Sequence, residues 1–172
     1  MKISKKYLAL GLLGSVLVSG SAYAATVGVN ATIRFLTALT LTQTATMNFG
    51  QVTPDTGVLA ITPAGVLTKT SGDVVIIGGT PAAAVVNITG DAASTISYQV
   101  TGFTDSANVT LSAATCSYDG GAAGDCTTGP VAGAALGAGG KNLAIGATAT
   151  INSAPASGAT ETPSLTLTVL YT

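Results

Sequence analysis

The sequence predicts an all-β protein, an antiparallel immunoglobulin-like β-sandwich of seven to nine strands. Three observations carry that prediction. Thr recurs between apolar residues, whereas Leu, Lys, Glu and Arg are too sparse to build the apolar stripes and ion-pair faces of helices. Alternation with a period of two marks both ends of the chain after its leader. Turn residues punctuate the rest about every ten residues, the spacing of a sandwich.

The opening segment reads as an address. Lys2, Lys5 and Lys6 precede an apolar run over residues 7–18, and Ala22-Tyr23-Ala24 places small residues where a signal peptidase cuts. The expected cleavage lies between Ala24 and Ala25. The run is shorter than the roughly 18 to 20 apolar residues that cross a bilayer, and no Cys follows it to carry a lipid. Residues 1–24 are therefore a predicted signal peptide, residues 25–36 an N-terminal extension, and residues 37–172 the sandwich domain. The expected location is the periplasm in transit and then the cell surface, with no membrane span after cleavage.

In the extension, Val27, Val29, Ala31, Ile33 and Phe35 share one face, opposite Thr26, Gly28, Asn30, Thr32 and Arg34, and the same phase runs on through Leu39 and Leu41. At the other end Leu165, Leu167, Val169 and Tyr171 point one way, with Ser164, Thr166 and Thr168 opposite. Between them, residues 45–52, 58–62, 73–77, 83–89, 95–103, 108–114 and 142–151 are candidate strands. Pro54-Asp55-Thr56-Gly57, Pro63-Ala64-Gly65, Gly78-Gly79-Thr80-Pro81, Thr89-Gly90-Asp91 and Pro155-Ala156-Ser157-Gly158 separate them. Residues 129–140, rich in Gly and Ala, read either as a flexible loop or as a close-packed irregular crossing.

Cys116 and Cys126 both lie in the exported part, and an even pair in an oxidising compartment is most simply a disulfide across the turn 117–125. A loop this short stabilises a fold by about 2–3 kcal/mol when closed without strain. Two sulfurs without any His leave a tetrahedral zinc shell incomplete.

Composition narrows the function classes. The 172 residues are 47% hydrophobic and 8% charged, with no His and no Trp, so the commonest general base and metal ligand is missing. No Ser-His-Asp or Cys-His arrangement can be built, Glu161 is the only Glu, and the Asp residues show no paired spacing. The expectation is a protein with no catalytic residues, cofactor or metal. After cleavage, Arg34, Lys69 and Lys141 face seven acids, about four net negative charges, which excludes an electrostatic grip on nucleic acid. Lys141 follows a glycine run but lacks the phosphate-loop pattern at Ala135 and Asn142. Asp119 and Asp125 lack the ladder of oxygen ligands of a calcium loop and read as turn residues. Asn30-Ala31-Thr32, Asn87-Ile88-Thr89 and Asn108-Val109-Thr110 fit a glycosylation pattern but read as polar strand positions in a Thr-rich chain. Of the eight aromatic residues, Tyr7 and Tyr23 leave with the leader, and six are too few for the two girdles of an outer-membrane barrel.

The segment Met47-Asn48-Phe49-Gly50-Gln51-Val52, followed by Gly57 and Ile61-Thr62-Pro63-Ala64-Gly65, resembles the DUF4402 domain family of exported bacterial proteins, near spore coat protein U and fimbrial proteins. Phe49 reads there as a core anchor and Gly50 as the residue that permits the following turn. The final strand, with Tyr171 penultimate and Gly158 upstream, is similar to the end of chaperone-usher pilins. That resemblance implies a structural subunit that self-associates into a homopolymer, with a periplasmic chaperone and an outer-membrane usher as partners. It also implies assembly by strand addition, in which Val27, Val29, Ala31, Ile33 and Phe35 form the donor strand, while the final strand, with Leu165, Leu167, Val169 and Tyr171, pairs with the chaperone. Two alternatives stay open. Residues 25–36 could equally be the first strand of a complete monomeric sandwich, which alternates for the same reason. A secreted binding module for a surface glycan or host ligand is the second function, with Tyr98, Tyr118 and Phe103 as its few aromatic candidates.

Overall fold

A computed structural model describes residues 30–172. The chain divides into two units, Met1–Arg34 and Phe35–Thr172. Of the first, residues 30–34 are described, and they belong to no helix or strand. The predicted signal peptide, its cleavage site, Val27 and Val29 lie outside the described residues.

The second unit is all β. No helix occurs among the described residues, and every pairing is antiparallel. Its twelve strands are β1 (Thr40–Ala45), β2 (Gln51–Val52), β3 (Gly57–Ile61), β4 (Leu67–Gly72), β5 (Ile76–Gly78), β6 (Ala84–Thr89), β7 (Ile96–Thr104), β8 (Val109–Tyr118), β9 (Gly124–Asp125), β10 (Val131–Gly133), β11 (Lys141–Ile151) and β12 (Ser164–Tyr171). Four of these are only two or three residues long, so eight substantial strands build the sandwich.

β11 is the axis of the large sheet. One edge pairs with β6 over Lys141 to Ile145 and then with β3 over Ala147 to Ile151, while the other edge pairs with β8 along nearly its whole length. β1 extends the sheet beyond β6, and β4 extends it beyond β3. The change of partner falls at Gly146, where a Cβ would overlap the Ile61 carbonyl oxygen and press on Thr62 and Pro63. Opposite that point β8 carries a bulge: Ala113 has φ +48°, and the register slips between Gly146 and Thr148.

A three-stranded sheet, β10-β7-β12, packs its inner face against the large one. Between them lie Ile88, Ile96, Val100, Leu143 and Ile145, each at most 2% exposed. A second cluster of Leu59, Val74 and Ile151 fills the far end, and Phe49 packs against it as the Asn-Phe-Gly motif predicts. Gly50, with φ +74°, turns the chain after it and donates its N–H to the Asn48 side chain at 2.8 Å.

Cys116 and Cys126 form the expected disulfide, with Cα atoms 5.8 Å apart and both residues buried. Cys126 also donates its N–H to Ala114 of β8 at 3.3 Å and accepts the Val100 N–H of β7 at 2.8 Å. It is the point at which the chain crosses from one sheet to the other. The Gly-rich stretch 129–140 is the packed alternative: it contains β10 and the fully buried Leu136, whose N–H donates to Ser94.

Several local expectations change. Residues 30–39 form no strand despite their alternation, because no neighbouring strand pairs with them, and extended backbone becomes a strand only through its partner. The 45–52 candidate breaks at Asn48, which is held to Ala82 by an isolated bridge. β4, with the polar sequence Leu-Thr-Lys-Thr-Ser-Gly, is an edge strand whose exposed residues gave no apolar signal. β8 runs four residues past its predicted end because the disulfide turn continues it as a hairpin with β9.

Two expected outcomes test this architecture. Replacing both cysteines, Cys116→Ala with Cys126→Ala, lowers unfolding stability by about 2–3 kcal/mol in urea titration. Gly146→Ala lowers it by about 1–3 kcal/mol through overpacking against β3.

Candidate functional site

β12 presents Leu165, Leu167, Val169 and Tyr171 to the main core, the same face that the alternation predicts, while Leu170 points outward at 60% exposure. On one edge β12 pairs with β7 from Ser164 to Tyr171. Its other edge pairs with no strand among the described residues, and the same holds for the outer edge of β1.

These two free edges flank a groove. A cavity of about 380 Å³ lies between Gln43, Thr46 and Met47 on the β1 side and residues 162–167 on the β12 side. Its floor is apolar: Ala84 and Val86 of β6, Leu111 of β8 and Ile145 of β11. Among the described residues no charged side chain lines it. The uncovered character continues along β1, where Leu41 sits opposite the fully buried Ile88 yet remains 42% exposed. A strand exposing backbone donors and acceptors beside an apolar trough can take an extended peptide, whose main chain bonds to the edge and whose alternate side chains fill the trough.

The groove is closed at its other end. The Tyr171 hydroxyl donates to the Thr37 carbonyl at 2.6 Å and accepts the Asp91 N–H at 2.7 Å. Leu39 and Leu136 pack beside it, close to Gly90, where a Cβ would overlap the tyrosine oxygen.

The remaining predicted residues have other work. Ala31, Ile33 and Phe35 lie outside any strand, with Ile33 74% and Phe35 87% exposed. Asp119 pairs with Lys141 at 2.6 Å on the surface. Asp125 accepts from Thr127 and Thr128, bonds that hold its carboxyl below the usual range and make it a turn cap. Glu161 is held low in the same way, by Ser106 and Asn108. The aromatic candidates are packed: Tyr98 is buried, stacks on Tyr118 at 5.6 Å between ring centres, and has its pKa raised by that burial, while Phe103 packs on the main core. Met47, Leu111 and Ile145 were not predicted as site residues, since residues this far apart in the chain meet only once the sheets have formed.

Gly90→Ala displaces the Tyr171 hydroxyl and is expected to cost about 1–3 kcal/mol in urea unfolding, whereas Gly139→Ala, in open space, stays within about 0.5 kcal/mol.

No curated protein and no solved structure matches the chain. A family model matches residues 39–171, from the residue before β1 to the penultimate one, and so takes in both walls of the groove. The all-antiparallel sandwich, the disulfide hairpin and the Asn-Phe-Gly anchor thus sit in a chain that belongs to the family described as Domain of unknown function (DUF4402).

Proposed function

We propose that the protein is a non-enzymatic structural subunit of an extracellular fibre, pilus or surface coat, exported by its signal peptide and assembled by β-strand addition. Residues 25–36 of one copy complete the groove of the next, and a periplasmic chaperone and outer-membrane usher handle the subunit in transit. One observation carries this reading: among the described residues β1 and β12 each leave an edge unpaired, and both edges face an apolar trough. A strand laid between them gains backbone bonds on both sides, with alternate side chains buried at about 1–2 kcal/mol each before ordering costs.

The extension has the matching pattern, with five apolar residues at alternate positions and two of them, Ile33 and Phe35, largely exposed. The low charge of the mature chain agrees with a subunit that packs against its own kind. A secreted binding module is the competing class. It is less well supported, because Tyr98, Tyr118 and Phe103 are engaged in packing and form no exposed platform.

Size-exclusion chromatography with light scattering, on mature protein and on a variant lacking residues 25–36, tests the proposal. The mature protein is expected to form SDS-resistant ladders, and the shortened chain to be monomeric and less stable. A mature protein that stays a stable monomer would sink the fibre reading and favour the binding module.

A further inference from the structure

The sealed end of the groove raises a separate question: what keeps a subunit from filling its own groove with its own extension. Leu36-Thr37-Ala38-Leu39 joins the extension to β1. For residues 25–35 to lie beside β1 of the same chain, the backbone has to reverse within that stretch. Tight hairpin reversals need positive φ, which Gly, Asn and Asp supply, and none of these is present there. The Thr37 carbonyl, which such a reversal would swing, is already bonded to the Tyr171 hydroxyl at 2.6 Å. The same hydroxyl is steadied by the Asp91 N–H at 2.7 Å, in space that only a glycine at position 90 leaves open.

We infer that Tyr171 is a positioning residue for assembly: its hydroxyl latches the root of the N-terminal extension to the end of β12, which denies the extension its own groove and reserves it for the groove of a second copy. The latch joins three segments far apart in sequence, the approach to β1, the β6–β7 loop and the end of β12. Its cost to the chain is small, one hydroxyl on a ring already packed on the core. Its effect is topological, since it fixes the backbone at Thr37, where a reversal toward β1 would have to begin. This inference rests on the strand-addition reading and adds the residue that keeps the exchange between copies.

The test uses the full mature chain with a photoreactive phenylalanine analogue in place of Ala31, which a reversal at residues 37 and 38 would bring beside Thr44. Copies carrying ordinary and heavy nitrogen are mixed, irradiated and analysed by peptide mass spectrometry, which separates cross-links within one chain from those between two. With Tyr171 present, cross-links to the 162–167 wall are expected to join different copies. In Tyr171→Phe the within-chain share is expected to rise about two- to tenfold, the weight of one hydrogen bond. The paired substitution Thr37→Asn with Ala38→Gly supplies a turn while keeping the tyrosine, and is expected to give a similar rise. It decides the matter should Tyr171→Phe not fold.

An unchanged partition in a folded Tyr171→Phe protein overturns the latch and leaves strand addition standing. Within-chain cross-links already dominant in the unaltered protein overturn it as well. No cross-link to the groove wall in any chain removes strand addition, and the latch with it.

Discussion

Everything in the large sheet reaches the core through β11. Its eleven residues satisfy both edges at once, pairing β6 and then β3 on one side and β8 on the other. That central position leaves six of its residues buried, an unusual demand on a strand with only one Leu and two Ile. Ala and Gly meet it, because small side chains let β3 and β8 approach closely, and Gly146 is where the approach is tightest. The cost is limited volume. A centre built from Ala144, Gly146, Ala147 and Ala149 needs the larger residues of facing strands to fill the space above it.

The facing sheet does not extend far enough to do so everywhere. Three strands lie across a sheet of seven, and β12 stops short of β1 except where Tyr171 and Leu39 bridge them. The groove is thus a geometric consequence of unequal layers, not a pit cut into a finished core. A further free edge, that of β4, contrasts with these. β4 exposes Thr68, Lys69, Thr70 and Ser71, a charged and hydroxylated border of the kind that discourages pairing. The edges of β1 and β12 face Met47, Leu165 and Leu167 instead. The β4 edge is defended, whereas the edges of β1 and β12 invite a strand.

Much of this was legible in the residues. The β12 alternation named the four side chains that pack on the core, the cysteine pair named the disulfide, and Phe49 and Gly50 named the anchor and its turn. Reading failed where the local signal was weak or shared. β4 is polar on both faces because it is an edge, so it carries no period to detect. Residues 30–39 alternate at Ala31, Ile33 and Phe35 and yet pair with no strand among the described residues, since alternation reports a preference for extended backbone and one buried face but not which strand will supply the burial. The groove floor gathers Ala84, Leu111 and Ile145 from three strands, and no spacing in the chain announces that meeting.

From the chain alone came the class of fold, the crosslink, the orientation of the last strand and the exclusion of the common catalytic constellations, because each depends on residue identity or on a period of two. Tertiary structure decided which edges were left bare, where the trough between them opens, and that one tyrosine hydroxyl closes its end. Those outcomes depend on how many strands each sheet recruits and in what order, a matter of long-range pairing that local pattern does not encode.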